Sequence, residues 1–143
     1  MFDIQKSAKN LSMTFSSVLE NIDRAADELR IFLTGIGKKS QAFHPLLVTR
    51  EALINAITHG NHCDEQKKVR VNVFYQPEQL EIDVTDEGEG FCWEMTMTKE
   101  CDDSKDHGRG IQIMKLYSHL IQYNSKGNQI KLTINFPEKK NEP

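Results

Sequence analysis

Residues 69–85 read VRVNVFYQPEQLEIDVT. Val69, Val71 and Val73 alternate with Arg70, Asn72 and Phe74, and Leu80, Ile82 and Val84 alternate with Glu81 and Asp83. Successive strand side chains point to opposite faces, so this period of two predicts a β-hairpin with one apolar face, turning at Gln76-Pro77-Glu78-Gln79. A tight antiparallel pair at this point in the chain argues against the regular strand-helix alternation of a doubly wound sheet.

Upstream of the hairpin the period changes to that of helices. Val18, Ile22, Ala25, Ala26, Leu29 and Leu33 recur at helical spacing, with Ser16 or Ser17 as the expected N-cap and Gly35 and Gly37 near the stop. A short strand, Ser12 to Phe15, is expected before this helix. A polar connection, GKKSQAF, leads to a second helix in which Pro45 sits in the first turn, Leu46, Leu47, Leu53, Ile54 and Ile57 supply the apolar face, and Gly60 follows the end near His59.

Downstream, residues 91–107 carry many charges and no period, which predicts a surface loop. A third helix is expected to open at Gly108-Arg109-Gly110, with Ile111, Ile113, Met114, Tyr117, Leu120 and Ile121 as its apolar residues. Leu120 to Tyr123 and Gln129 to Phe136 also read as two strands of a second hairpin, with Ile130, Leu132, Ile134 and Phe136 on one face. Residues 137–143 are expected to form a frayed tail. The order β-α-α-β-β-loop-α-β-β defines an α+β class, helices layered on one side of a mixed or antiparallel sheet.

The chain has 143 residues, which is the size of one domain, and a formal net charge of −3. That charge argues against broad electrostatic binding to nucleic acid or anionic membrane. No run of apolar residues reaches the roughly eighteen needed for a spanning helix, and the N-terminus lacks the pattern of a signal peptide. Cys63, Cys92 and Cys101 are odd in number and lack C-x-x-C spacing, which suits reduced thiols and a cytoplasmic location. His59, His62 and Cys63 form an H-x-x-H-C cluster with too few ligands for a zinc site by itself.

Three separated segments carry the chemistry. Glu51 and Asn55 stand four apart on the second helix, so a carboxylate and an amide share one face, a pair suited to magnesium and to accepting a proton. Asp86 follows a strand and begins D-x-G-x-G, where Gly88 and Gly90 let backbone approach a planar ligand while the carboxylate accepts from an exocyclic amine. Gly108, Arg109 and Gly110 at a helix start offer free N–H groups to phosphate, with Arg109 and Lys105 as charge partners. The dinucleotide fingerprint and the phosphate-loop motif are both absent.

The run E-x-x-x-N-A-x-x-H-G, then D-x-G-x-G-F, then G-x-G before a helix resembles the N box and the two glycine boxes of the ATPase/kinase superfamily of gyrase, histidine kinases and MutL. Within it the chain is similar to the anti-sigma-factor serine kinases of bacterial partner-switching systems. The resemblance implies a single domain over residues 1–143 with the histidine-kinase-like ATPase (Bergerat) fold, a two-layer α/β sandwich with helices on one face of a mixed, mostly antiparallel sheet. It makes residues 91–107 an ATP lid, and this lid contains Cys92, Trp93, Met95, Met97 and Cys101 and no proline.

It further implies that Asn55 coordinates Mg²⁺ bridging the phosphates of ATP or ADP, and that Glu51 orients or deprotonates the attacking hydroxyl. Asp86 would bind the adenine amino group, Gly88 and Gly90 would border the base, and Gly108, Arg109 and Gly110 would face the phosphates. The expected activity is ATP- and Mg²⁺-dependent phosphorylation of a serine or threonine on a small STAS-domain antagonist, with a sigma factor as the other partner and a homodimer as the expected assembly. The alternative is a nucleotide-binding module that holds a regulatory protein without transferring phosphate. Neither direct nucleic-acid contact nor membrane association is expected.

Overall fold

The period-two pattern of the central hairpin becomes a burial pattern. Val69, Val71, Val73, Leu80, Ile82 and Val84 are all buried, while Arg70, Asn72 and Phe74 between them are exposed. The computed structural model describes residues 1–90 and 106–136, the first four of the second stretch by their backbone alone. Its elements are β1 (Phe2–Lys6), β2 (Asn10–Ser16), α1 (Glu20–Gly35), α2 (Phe43–Asn55), β3 (Lys68–Gln76), β4 (Gln79–Thr85), α3 (Asp106–Tyr117), β5 (Leu120–Tyr123) and β6 (Gln129–Asn135).

The six strands form one sheet in the order β1-β2-β3-β4-β6-β5, and every neighbouring pair is antiparallel. Register lines up Met13, Val71 and Val84 across three strands, and Val73, Ile82 and Leu132 across three more positions of the same face. That face meets Ile22, Ala25, Leu29 and Leu33 of α1, Val48, Ala52 and Leu53 of α2, and Ile111 and Met114 of α3. The opposite face carries Ser12, Asn72, Asp83 and Lys131 in one row and faces away from this core. Burying each large aliphatic side chain contributes about 1.5–3 kcal/mol, so the helices are held by this single apolar layer.

The structure corrects the expected order at four points. A strand precedes the expected first one: β1 pairs along its whole length with residues 11–15 of β2, with Phe2 stacked on Phe15 at 5.1 Å and Lys6 paired to Glu28 of α1 at 3.0 Å. Neither Ser16 nor Ser17 caps α1, whose N-cap is Leu19 without a side-chain cap. The Ser17 hydroxyl instead donates to the Lys67 carbonyl at 2.7 Å, joining β2 to the entry of β3. Helix α3 begins at Asp106, inside the expected loop, so the glycine pair lies within the helix and not before it. At its other end the helix stops at Tyr117, and Leu120 and Ile121 belong to β5.

Helix α2 ends in a wider turn. Ala56–Gly60 is π-helical, and the Asn61 N–H closes it on the Ala56 carbonyl at 2.8 Å. Single π turns of this kind are frequent at functional sites, because one extra residue re-aims the chain that follows.

Candidate functional site

The site grows from α2. Glu51 and Asn55 lie one turn apart, and α3 runs back along α2, with Tyr117 stacked on His44 at 4.4 Å and Gly110 over the Glu51 end. A Cβ added at Gly110 would sit 2.8 Å from Glu51 Oε2 and 3.7 Å from Asn55 Nδ2. Any side chain at this position would oblige the Glu51 carboxylate to move. Glu51 is half-buried, and desolvation raises its pKa above the ordinary glutamate value of 4.5. Asn55 is buried, and its Nδ2 has no hydrogen-bond partner among the described residues.

A second cluster forms around Asp86, just beyond β4. Its Oδ1 accepts the Gly88 N–H at 2.8 Å, and its carboxyl packs so closely on Gly60 that any Cβ there would overlap it. A Cβ at Gly88 would likewise overlap the Gly60 carbonyl. Burial raises the Asp86 pKa, opposed by the Gly88 hydrogen bond and by the charges of Lys126 and Lys67. Ala52, Ala56, Val84, Asp86, Asn128 and Ile130 line the narrow pocket beside it. Ala52 lies on the same helix as Glu51 and Asn55, and Ala56 opens the π turn that continues it, so this one stretch of chain links both clusters.

The expected residues thus fall into two groups that the fold brings to one end of the molecule. Glu51, Asn55 and Gly110 converge, and Asp86 and Gly88 converge with Gly60. Gly90, with φ +106°, packs instead on the Lys126 carbonyl of the β5–β6 turn. Gly108 lies in the first turn of α3, where a backbone N–H lacks an intrahelical partner, whereas Gly110 lies deeper and is buried. Arg109 shares that first stretch of helix. Lys105, most of the expected lid and the tail fall outside the described residues.

Three asparagines brace the segment around Asp86. Asn61 is fully buried: its Nδ2 donates to Ser17 Oγ at 2.7 Å and to the Lys68 carbonyl at 3.0 Å, and its Oδ1 accepts the Glu87 N–H at 2.8 Å. Asn128 Nδ2 donates to the Asp86 carbonyl at 3.0 Å, and Asn124 Nδ2 to Asn128 Oδ1 at 2.7 Å. Adjacency of Asn61 to the H-G pair and the turn composition around Asn124 and Asn128 were the available signals, since Ser17, Glu87 and Asp86 are distant in sequence from the asparagines they bond.

The residues present fit a nucleotide. An orphaned buried amide at Asn55 needs an acceptor, which a phosphate oxygen supplies; with the amide turned, its oxygen suits a cation. The cradle at Gly60 and Gly88 leaves a carboxylate beside a slot lined by small side chains. Among the described residues no three His, Cys, Asp or Glu side chains converge as a metal site, His59, His62 and Cys63 included. Magnesium carried on phosphates asks for only one or two protein oxygens.

An α+β sandwich with a Glu/Asn pair at one end of a helix and a glycine-cradled aspartate facing its small residues defines a nucleotide-binding domain of the histidine-kinase-like class. Residues 15–134 match the family described as histidine kinase-like ATPase domain, and the chain belongs to that family. It is also 32% identical over 81 residues to the anti-sigma F factor of Oceanobacillus iheyensis, a match covering 56% of this chain and 56% of that relative. Among the described residues no helix is long and apolar enough to cross a membrane.

Proposed function

We propose that the protein is an ATP- and Mg²⁺-dependent protein-serine/threonine kinase that acts as an anti-sigma regulatory factor in the cytoplasm. Its phosphoacceptor is a hydroxyl on a small STAS-domain antagonist, and the same protein holds a sigma factor when the antagonist is phosphorylated. The observation that carries the reading is Glu51: a half-buried carboxylate of raised pKa, one turn from the unpartnered Asn55 amide and against Gly110. Likeness to an anti-sigma F factor supports the regulatory role.

Mg²⁺-ATP supplies the transferable phosphoryl group and neutralises its charge when bound. The chain's own task is positioning. Asp86 receives the adenine amino group, and Ala52, Ala56 and Ile130 exclude water from the base. Asn55 satisfies its amide on phosphate or metal, and the free N–H at Gly108 faces the phosphates. Arg109 and Lys105 complete the phosphate charge balance in this reading. Glu51 accepts the proton of the incoming hydroxyl, and its raised pKa brings it closer to the range where a base works best.

The test is transfer of labelled γ-phosphate to the partner antagonist. Glu51→Ala is expected to bind nucleotide and to lose transfer by about 10²–10⁴-fold, the usual contribution of a positioned base. If wild-type protein binds nucleotide and releases its partner on cue while no phosphate reaches any partner, the kinase reading is wrong and a nucleotide-gated binding module replaces it.

A further inference from the structure

The geometry points to Asn61 and Asn128 as paired positioning residues that grip one peptide unit, Asp86–Glu87, from its two ends and so aim the Asp86 carboxylate at the base of a bound purine nucleotide. This inference rests on the nucleotide reading of the site. The carbonyl of that peptide accepts Asn128 Nδ2 at 3.0 Å, and its N–H donates to Asn61 Oδ1 at 2.8 Å. A trans peptide is planar, with C=O and N–H pointing in opposite directions, so two such bonds fix the rotation of the whole plane. That rotation sets ψ of Asp86 and, through it, where the carboxylate points.

Each asparagine is itself anchored. Asn61 is tied to Ser17, to Lys68 and, by its own N–H, to the end of the π turn. Asn128 is held by Asn124, whose Oδ1 also accepts the N–H groups of Gly127 and Asn128 at 2.7 and 3.1 Å. The Asp86 N–H donates to the Asn128 carbonyl at 2.9 Å, which fixes the other side of the aspartate. The carboxyl has no slack, because Gly60 and Gly88 touch it. Rotation of the peptide therefore moves it off the base. Asn61 is absent from the pocket lining, so its influence must pass through the peptide.

A carboxylate aimed at an exocyclic amine rewards adenine and opposes the keto oxygen of inosine, so the ratio of ATP to ITP affinity reads its aim. Calorimetric titration of the purified chain with each nucleotide and Mg²⁺ gives that ratio. Wild type is expected to favour ATP by at least about tenfold, the value of one charge-assisted hydrogen bond. Asn61→Ala lowers ATP affinity about tenfold and ITP affinity by less than threefold, while Asn61→Asp, which keeps an oxygen for the Glu87 N–H, retains the preference.

Asn128→Ala, at a half-buried turn position, acts on the other end of the peptide and decides the matter if Asn61→Ala does not fold. Because both bonds hold one plane, the double variant loses less than the product of the single losses. Folded variants with an unchanged ATP to ITP ratio, or an equal loss for both nucleotides, overturn the clamp, as do strictly multiplicative effects. A wild type that binds ATP without preferring it to ITP defeats the Asp86 assignment itself, and a wild type that binds neither defeats the nucleotide reading.

Discussion

Gly110→Ala separates stability from activity because the two respond with opposite sign. Position 110 lies inside α3, where alanine is favoured over glycine by about 1 kcal/mol. The new Cβ meets Glu51 Oε2 at 2.8 Å, Glu51 Cβ at 3.6 Å and Asn55 Nδ2 at 3.7 Å. Only the first contact is too close, and it is with the tip of a flexible side chain that yields by a rotamer change costing about 0.5–1 kcal/mol. The net effect on the ligand-free fold is then between zero and about +0.5 kcal/mol. With an unfolding entropy of about 2.1 cal/mol/K per residue, 1 kcal/mol corresponds to about 3 °C here, so Tm rises by no more than about 2 °C.

On the proposed kinase reading, phosphate transfer falls, because the carboxylate has been pushed from its place. A loss of about 10²-fold or more in kcat is expected, with nucleotide affinity reduced less. Calorimetric melting and the labelled transfer assay read the two effects on one sample. A drop in Tm of several degrees would show that the helices close on backbone at this point and cannot yield. Undiminished transfer would show that the position of Glu51 does not matter.

Gly60→Ala drives a Cβ into the Asp86 carboxyl, and the expected outcome is a lower Tm together with loss of the Tm increase expected of wild type with ADP and Mg²⁺, a direct measure of ligand bound to the native state. Thr49→Val removes a fully buried hydroxyl that has no partner among the described residues, so it should raise stability by about 1 kcal/mol in denaturant unfolding. Glu51→Gln should raise Tm near neutral pH and lose that advantage in acid. The folded-state pKa of Glu51 is raised, so the stability it contributes is complete below the ordinary value of 4.5 and is lost as pH rises through the folded value; a Tm difference independent of pH would refute the desolvation of this carboxylate.

Short-range signals made much of this fold legible. The central hairpin, the stop of α1 near Gly35 and the strand Leu120–Tyr123 all follow from residues within a turn or two of one another. Strand β1 was hidden because FDIQK offers only Phe2 and Ile4 to the core, and these gain their meaning from Phe15 and Met13 across the pair. Ser17 looked like a cap because local rules favour serine before a helix, but a partner fifty residues away took its hydroxyl. Of the candidate site, the one-turn spacing of Glu51 and Asn55 on a helix and the place of Asp86 just after a strand were legible in the sequence. Gly60 was read as a helix stop, and its packing on Asp86 depends on a π turn that no local pattern announces. The bracing roles of Asn61 and Asn128 were invisible for the reason that hid β1: Ser17, Glu87 and Asp86 lie on other parts of the chain.

The order of strands also dictates when the site can exist during folding. Hairpins β1–β2, β3–β4 and β5–β6 join neighbours in sequence and form on the microsecond scale. The seams between them are non-local. Pairing Ser16 with Lys68 closes a loop holding α1 and α2, and pairing Thr85 with Gln129 closes another around α3. Asn61 bridges the first seam and Asn128 stands at the second. The site is therefore completed by the last and slowest pairings, and a ligand that depends on it has nothing to bind in any half-assembled chain.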